Sequence, residues 1–295
     1  MVGHALACPQ MLDRKLGRNA PASGRWQAKA CPTLYNLPVA RACYCEHLPA
    51  PALARWVECF WQVQRDAPAT EWAVPPDGCL DIIYSRDLGL RAVGAMTVEQ
   101  RFHYAGRMET VGVRFHPGMA GALLKLPAVV LTDESAALED VWGTGARQLR
   151  RRLDDAPAAD CLRVLAGALA PPKQASGPVE RALRCLTAAN GIADVDWMAR
   201  QAGLSPRQFR RRCLEEAGLG PKRLARVLRF RYASRLAAAA RRPDWSSIAA
   251  SAGYFDQAHL IRDFREFTGR TPAAAAPSFQ FHHLSISGSG AAADA

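Results

Sequence analysis

The stretch AGYFDQAHLIRDFREFTGRTP, from Ala252 to Pro272, decides the fold of the last third of this chain. Gly253 permits the positive φ of a tight turn, and Asp256 is a good N-cap for the helix that follows. The apolar residues of that helix recur on one face, at Leu260, Phe264 and Phe267. A second apolar set with helical spacing lies just upstream, at Ile248, Ala249 and Ala252. The pattern therefore predicts two helices joined by a turn, which is a helix-turn-helix unit.

A related unit precedes this one, from Val195 to Pro221. Gly203 is suited to the turn, and Ser205 together with Gln208 satisfies the capping-box pattern at the start of a helix. The inward-facing residues of this helix are Phe209 and Cys213. Two such units in one chain form a far more specific pattern than one, and a duplicated DNA-reading unit indicates a transcription regulator.

The two units are similar but not interchangeable. The turn glycine and the closing glycine are 15 residues apart in the first unit (Gly203, Gly218) and 16 in the second (Gly253, Gly269), so we expect the units to read different bases. The connection from Pro221 to about Arg241 contains no Gly or further Pro and predicts a rigid helix of roughly 30 Å. That length suits two recognition helices set one duplex turn apart, roughly 34 Å, on one face of DNA.

Polar side chains on the outward faces of the two recognition helices are the candidate DNA contacts. In the first helix they are Arg207, Arg210 and Arg211, and in the second they are Gln257, His259 and Arg262. Such side chains recognise base edges and phosphates. The alternative for Arg207 and Arg211 is an ordinary solvated helix surface. For the connecting helix we favour that alternative, at Arg226, Arg229 and Arg231.

The positive charge is concentrated in the helical third. Residues 179–276 carry 18 Lys and Arg against 9 Asp and Glu, a net charge of +9, whereas the rest of the chain carries 20 against 18, a net charge of +2. A basic domain attached to a nearly neutral one is expected of a protein that binds phosphates, with an affinity that falls steeply as salt rises.

The stretch from Val195 to Pro272 resembles the two-module DNA-binding domain of the AraC/XylS regulators, and the residues from Ala252 to Pro272 match that family's signature closely. The resemblance implies that the six outward side chains named above make base and phosphate contacts. Two departures stand out. Cys213 occupies a position that usually holds a bulky aromatic residue, and Ala273 to Ala276 replace the usual aromatic and basic ending.

The N-terminal part predicts a β-rich domain. Short apolar runs bounded by Gly, Pro and Asp read as strands at Cys79–Ser85, Leu90–Met96 and Thr110–Pro117. Helices are predicted to follow at Gly118–Leu126, Leu138–Trp142 and Ala146–Leu169. The segment from Pro75 to Gly143 also resembles an uncharacterised domain found ahead of such DNA-binding modules, which implies a sensory or dimerising role.

The fold class predicted overall is α+β, with a small β-rich N-terminal domain closed by helices and an all-α tandem helix-turn-helix domain. We expect five segments. They are a poorly structured extension at 1–46, a regulatory domain at 47–170, a linker at 171–178, the DNA-binding domain at 179–276 and a flexible tail at 277–295.

Catalytic and metal chemistry are not favoured. His103, His116, Arg114, Glu109 and Cys79 have the right chemistry to line a pocket, but no nucleophile with a paired base is evident. The cysteines that precede the basic domain lack the separation of a zinc knuckle, since Cys43 and Cys45 bracket a single residue. We therefore predict no catalytic residues, no metal and no cofactor, with free thiols as the default.

The leading hypothesis is a cytoplasmic transcription regulator with no membrane segment. Its expected partner is a double-stranded DNA operator, with RNA polymerase and a small-molecule effector as further candidates and the oligomeric state undecided. One alternative is a DNA-repair or modifying enzyme that uses the basic module for docking. Another is an architectural DNA binder without sequence preference.

Overall fold

Alternating apolar residues build an antiparallel sheet in the N-terminal half of the computed structural model, which describes residues 42–65, 70–104, 108–171 and 177–276. The described strands are β1 (Ala42–His47), β2 (Val57–Arg65), β3 (Thr70–Val74), β4 (Leu80–Ser85), β5 (Gly89–Val93), β6 (Gln100–Tyr104), β7 (Met108–Phe115) and β8 (Ser135–Ala137). The larger sheet has the order β1-β2-β7-β4-β5-β8, and β3 pairs with β6 separately. Because every pairing is antiparallel, one sheet face can be apolar and the other polar.

The register of the large sheet separates these two faces. Phe60 and Ile82 both pair with Val113, and all three side chains are fully buried. One position along, Arg114 pairs with Asp81 on β4, so these charged side chains lie on the opposite face. The apolar face packs against the helices that follow, and the polar face holds a cluster of charges described below.

Strand β1 begins before the predicted start of the N-terminal domain at residue 47. We expected residues up to 46 to be poorly structured, but β1 begins at Ala42 and pairs along its full length with β2, from Ala42↔Arg65 to His47↔Phe60. The run is only six residues long and contains two cysteines, so its alternation of apolar and polar residues can be recognised only once β1 is seen paired with β2. The expectations for residues 1–41 and for the tail at 277–295 lie outside the described residues.

The N-terminal helices overlap the predicted ones, but the first is shorter than predicted, a 3-10 helix was not predicted and one predicted helix is divided in two. They are α1 (Gly121–Leu124), a 3-10 helix (Ala128–Leu131), α2 (Leu138–Trp142), α3 (Thr144–Asp155) and α4 (Ala158–Gly167). The single helix predicted from Ala146 to Leu169 is therefore wrong. Pro157 ends the first part, because a proline disfavours helical backbone in the residue before it, and Ala156 is extended with ψ of 145°.

The C-terminal half is helical, as predicted. It contains α5 (Pro178–Ala188), α6 (Val195–Gln201), α7 (Pro206–Ala217), α8 (Pro221–Ala239), α9 (Trp245–Ser251), α10 (Gln257–Thr268) and α11 (Pro272–Ala275). Helices α6 and α7 form one helix-turn-helix unit and α9 and α10 the other, with α8 between them. The α+β class and the tandem arrangement are confirmed.

One apolar core extends through both halves. In the helical half Phe230 of α8 packs against Phe264 and Phe267 of α10, with ring centroids 4.8 and 5.1 Å apart. Where the halves meet, Leu183 of α5 lies against Gly118, and Leu224 of α8 lies against Gly78. Among the described residues, no helix combines the length and the apolar character needed to cross a membrane.

Candidate nucleic-acid interface

The first recognition helix, α7, starts at a complete capping box. The Ser205 N–H donates to Gln208 Oε1 at 3.0 Å, and the Gln208 N–H donates to Ser205 Oγ at 3.3 Å. Gly203 makes the preceding turn with φ of +66°. These contacts satisfy backbone donors that the helix itself leaves unpaired, so the N-terminal turn of α7 is held in a fixed conformation.

The second recognition helix, α10, is capped by an aspartate. The Asp256 carboxylate accepts the His259 N–H at 2.6 Å. Tyr254 is buried ahead of the cap and meets the His259 ring edge-on, with centroids 5.1 Å apart and planes at 89°. The Arg229 guanidinium of α8 lies over the Tyr254 ring, 5.5 Å from its centroid. The start of α10 is therefore anchored to the connecting helix.

The first recognition helix, α7, keeps its predicted polar face open. The α7 side chains Arg207, Arg210 and Arg211 are exposed, while Phe209 and Cys213 are fully buried beneath them. Arg211 makes a long ion pair with Glu215, at 3.6 Å, and its side chain remains 71% exposed. A pair this open leaves the guanidinium available to a partner.

The three predicted side chains of α10 are not equivalent. Gln257 and Arg262 are exposed, whereas His259 is half-buried because its ring packs on Tyr254. Ser246 of α9 donates to Gln257 Oε1 at 2.9 Å and thereby orients the Gln257 amide. His259 therefore packs on Tyr254 and also occupies a position that the sequence predicts to contact DNA.

The arginines of α8 are not the solvated surface that we interpreted them to be. Arg226 is ion-paired to the fully buried Asp263 of α10, at 2.7 Å, and to Glu266. Arg229 donates to the Gly253 carbonyl at 3.4 Å, and Arg231 pairs with Glu58 on β2. All three arginines are half-buried. The sequence does contain a signal for the first pair, because Asp263 lies on the inward face of α10 and a buried carboxylate needs a partner.

A chain of polar contacts joins the sheet to α8. Arg114 on β7 pairs with Asp77 at 3.1 Å, and the Asp77 carboxylate accepts the Cys79 N–H at 2.9 Å. The Cys79 thiol in turn donates to Glu58 at 3.3 Å, and Glu58 holds Arg231. No sequence pattern indicates this network, since Glu58 and Arg231 lie 173 positions apart along the chain.

The ionisation of these groups follows from burial and from their partners. Burial tends to raise the pKa of Glu58, but Arg231 outweighs it and the pKa falls to about 2. Burial raises the pKa of Asp81 to about 6, and neighbouring Asp77 adds to the rise although Arg114 opposes it. Burial also raises the pKa of the Cys79 thiol, so this cysteine is a poor nucleophile.

Further contacts attach the helix-turn-helix units to the N-terminal half. Arg223 of α8 donates to the Thr97 carbonyl at 2.6 Å, and Arg270 pairs with the Glu99 carboxylate, which is 4% exposed. The Thr132 hydroxyl donates to the carbonyl of Gly218, the residue that closes α7, at 2.7 Å. Both helix-turn-helix units are therefore in direct contact with the β-rich region.

The other residues considered from the sequence do not come together. His103 is exposed on β6, and His116 is half-buried, with a pKa that burial lowers. Glu109 lies on β7, whereas Arg114 and Cys79 belong to the polar network. In the described part of the chain no three His, Cys, Asp or Glu side chains are grouped to hold a metal ion.

Two capped recognition helices with open polar faces, joined through one long helix, define a tandem helix-turn-helix domain, so the protein is a DNA-binding transcription regulator. Residues 198–276 match a family described as a helix-turn-helix domain, and this region is of the AraC type. Residues 45–137 match a separate family described as a domain of unknown function (DUF6597). No curated protein matches the chain.

Solved structures of ToxT from Vibrio cholerae show a distant similarity. An apo variant from strain SCE256 is 12% identical, with 75% of this chain and 97% of ToxT covered and a TM-score of 0.39. ToxT from strain O395 is 9% identical, with 83% and 99% covered and a TM-score of 0.38. The unsaturated fatty acid bound form from strain SCE256 is 9% identical, with 82% and 96% covered and the same score of 0.38.

Proposed function

We propose that this protein binds a specific operator by inserting α7 and α10 into two successive segments of the major groove. The observation that carries the proposal is the exposure of the polar face on each recognition helix above a fully buried apolar face. Arginine and glutamine on such a face suit guanine and adenine edges, respectively. The caps at Ser205 and Asp256 fix the backbone at the start of these two helices.

The length of α8 supports contact by one protomer with two groove segments. Its 19 residues span about 28 Å at 1.5 Å per residue, which approaches the roughly 34 Å between successive turns of duplex DNA. Helix α8 is also braced along its length, by Arg223 near one end and by Arg231 further on. A braced helix keeps the separation between the two units constant.

Selection of bound fragments from random duplex DNA tests the proposal. We expect a bipartite, non-palindromic site whose two parts lie about one helical turn apart, because the two recognition helices carry different side chains. A single-part site would show that one unit alone reads sequence. The absence of any preferred sequence in competition would contradict the proposal and favour an architectural DNA binder.

We further propose that the β-rich region modulates DNA binding through its polar contacts with α8 and α10. Glu58 and Glu99, both on the N-terminal side, neutralise Arg231 and Arg270 on the helix-turn-helix side. A rearrangement of the sheet face would change these pairs and therefore the position of the helices. In this proposal a small-molecule effector acts on the β-rich region, and RNA polymerase is the further partner through which transcription responds.

Operator affinity of charge-neutral variants tests the modulation. We expect Glu58→Gln and Glu99→Gln each to change operator affinity by severalfold although neither residue lies on a recognition helix. The matched control is Asp160→Asn on α4, whose partner Arg163 is exposed and which also belongs to the N-terminal half. If both variants bind the operator as tightly as the control does, modulation through these ion pairs is contradicted.

A further inference from the structure

The second helix-turn-helix unit contains one residue without a counterpart in the first. The first turn runs from Gly203 through a half-buried Leu204 to the N-cap Ser205. The second turn runs from Gly253 through a buried Tyr254 and then Phe255 to the N-cap Asp256. Leu204 and Tyr254 play the same inward role, so Phe255 is the additional residue.

Phe255 is unusually exposed for an aromatic side chain. It is 93% exposed, whereas the next most exposed large apolar residue in the described part of the chain, Leu48, is 63% exposed. Burial of apolar surface stabilises by about 25 cal/mol per Å², and a phenylalanine ring in water forgoes this gain. An exposed aromatic ring on a binding surface is therefore a candidate contact for a partner.

The backbone on both sides of Phe255 is held in place by its neighbours. Tyr254, immediately before it, is buried and packs against His259, and Asp256, immediately after it, caps α10. Phe255 therefore projects from the N-terminal end of the recognition helix, two residues before Gln257. In helix-turn-helix proteins the N-terminal residues of the recognition helix contact base edges in the major groove.

We propose that Phe255 contacts the C5-methyl group of a thymine in the major groove, beside the base that Gln257 reads. The thymine methyl is the apolar feature of a base pair in that groove, and a phenylalanine ring is among the side chains that contact it. This inference rests on the proposed operator binding and adds a specificity-determining residue to the second unit only.

Thymine-to-deoxyuridine substitution in the selected operator tests the contact, because it removes only the methyl group. Each thymine of the second half-site is replaced in turn, and affinity is measured at one salt concentration. For the natural protein we expect a loss of roughly fourfold at one position, which corresponds to one buried methyl group. Phe255→Ala should bind the unsubstituted operator severalfold more weakly and should no longer respond to deoxyuridine at that position.

Two control variants separate the outcomes. Phe255→Leu retains an apolar side chain and should keep most of the deoxyuridine response, whereas Leu48→Ala, far from the recognition helices in sequence and also exposed, should leave affinity unchanged. A Phe255→Ala variant with full affinity and an undiminished deoxyuridine response would overturn the inference and leave operator binding intact. A natural protein without any preferred sequence would overturn both.

Discussion

At the scale of single residues, solvent exposure separates the arginines that can meet DNA from those that stabilise the fold. Arg211 has a 71% exposed side chain and one long ion pair, whereas Arg226 pairs with a carboxylate that is almost completely buried. Both residues contribute equally to the net charge of the sequence. Their roles differ because breaking an ion pair to a buried carboxylate costs about 3 to 5 kcal/mol. Arg226 is therefore held by Asp263, whereas Arg211 is open to a partner.

Arg211→Ala should weaken binding to the selected operator by about 1 to 3 kcal/mol and relax selectivity at one position, if this side chain reads guanine. The measurement is operator affinity against single-base variants. Arg163→Ala on α4, which is exposed to a similar degree and pairs with Asp160, is the matched control and should bind as the natural protein does. Equal losses on all sequences would instead make Arg211 a phosphate contact.

The Glu58–Arg231 pair predicts a pH dependence of stability. Because the folded state lowers the pKa of Glu58 from 4.5 to about 2, its contribution is fully present above pH 4.5 and is lost as the pH falls toward 2. Glu58→Gln should therefore lower the free energy of unfolding at neutral pH and flatten its decline below pH 4.5. Denaturant unfolding at several pH values measures this, and a decline identical to that of the natural protein would contradict it.

At the scale of helices and strands, the features predicted correctly are those that residues close together in the sequence encode. The Ser205–Gln208 capping box, the Asp256 cap and the inward faces of α7 and α10 all follow from spacing over a few residues. Strand β1 was missed because its pairing partner lies beyond the reach of local pattern, and the break at Pro157 was missed because apolar spacing continues across it. Local signals therefore located the caps and the closing glycines of the recognition helices, whereas strand pairing and the break before Pro157 needed information that apolar spacing does not carry.

The caps of the recognition helices predict a local stability effect. Asp256→Ala removes the acceptor of the His259 N–H and should destabilise the protein by about 1 kcal/mol. Asp256→Asn should be nearly neutral, because asparagine is an equally good N-cap. Thermal unfolding of the natural protein and the two variants measures both changes in stability. If the asparagine variant loses as much stability as the alanine variant, the charge of Asp256 matters more than its capping role.

At the scale of the whole molecule, the two halves are connected more closely than a linker between independent domains implies. The Glu58–Arg231 contact joins residues 173 positions apart, and Leu183 and Leu224 pack on glycines of the N-terminal half. Such contacts cannot be read from sequence, because nothing local specifies which carboxylate meets which guanidinium. The division into a β-rich region and a basic helical region was predictable, whereas the interface between them was not.

A fragment of residues 179–277 tests the domain division. We expect it to bind DNA at low salt, because both recognition helices and α8 are retained. It should unfold at a lower denaturant concentration than the full chain, since Leu183 and Leu224 lose their neighbours and Arg231 loses Glu58. The same fragment with Arg207→Ala and Arg211→Ala is the control for binding through α7. A fragment that does not fold, or that ignores DNA, would contradict the division.

The carboxylates of the β-rich region that hold Arg231 and Arg270 lie outside residues 179–276 and bear on the thermodynamics of association with DNA. Each phosphate that a protein neutralises displaces condensed cations, and the logarithm of the binding constant falls with the logarithm of salt by about 0.9 per phosphate. Guanidinium groups already neutralised within the protein displace no cations. The number of ions released should therefore follow the open arginines of the two recognition helices and fall short of the net charge of +9 in this region.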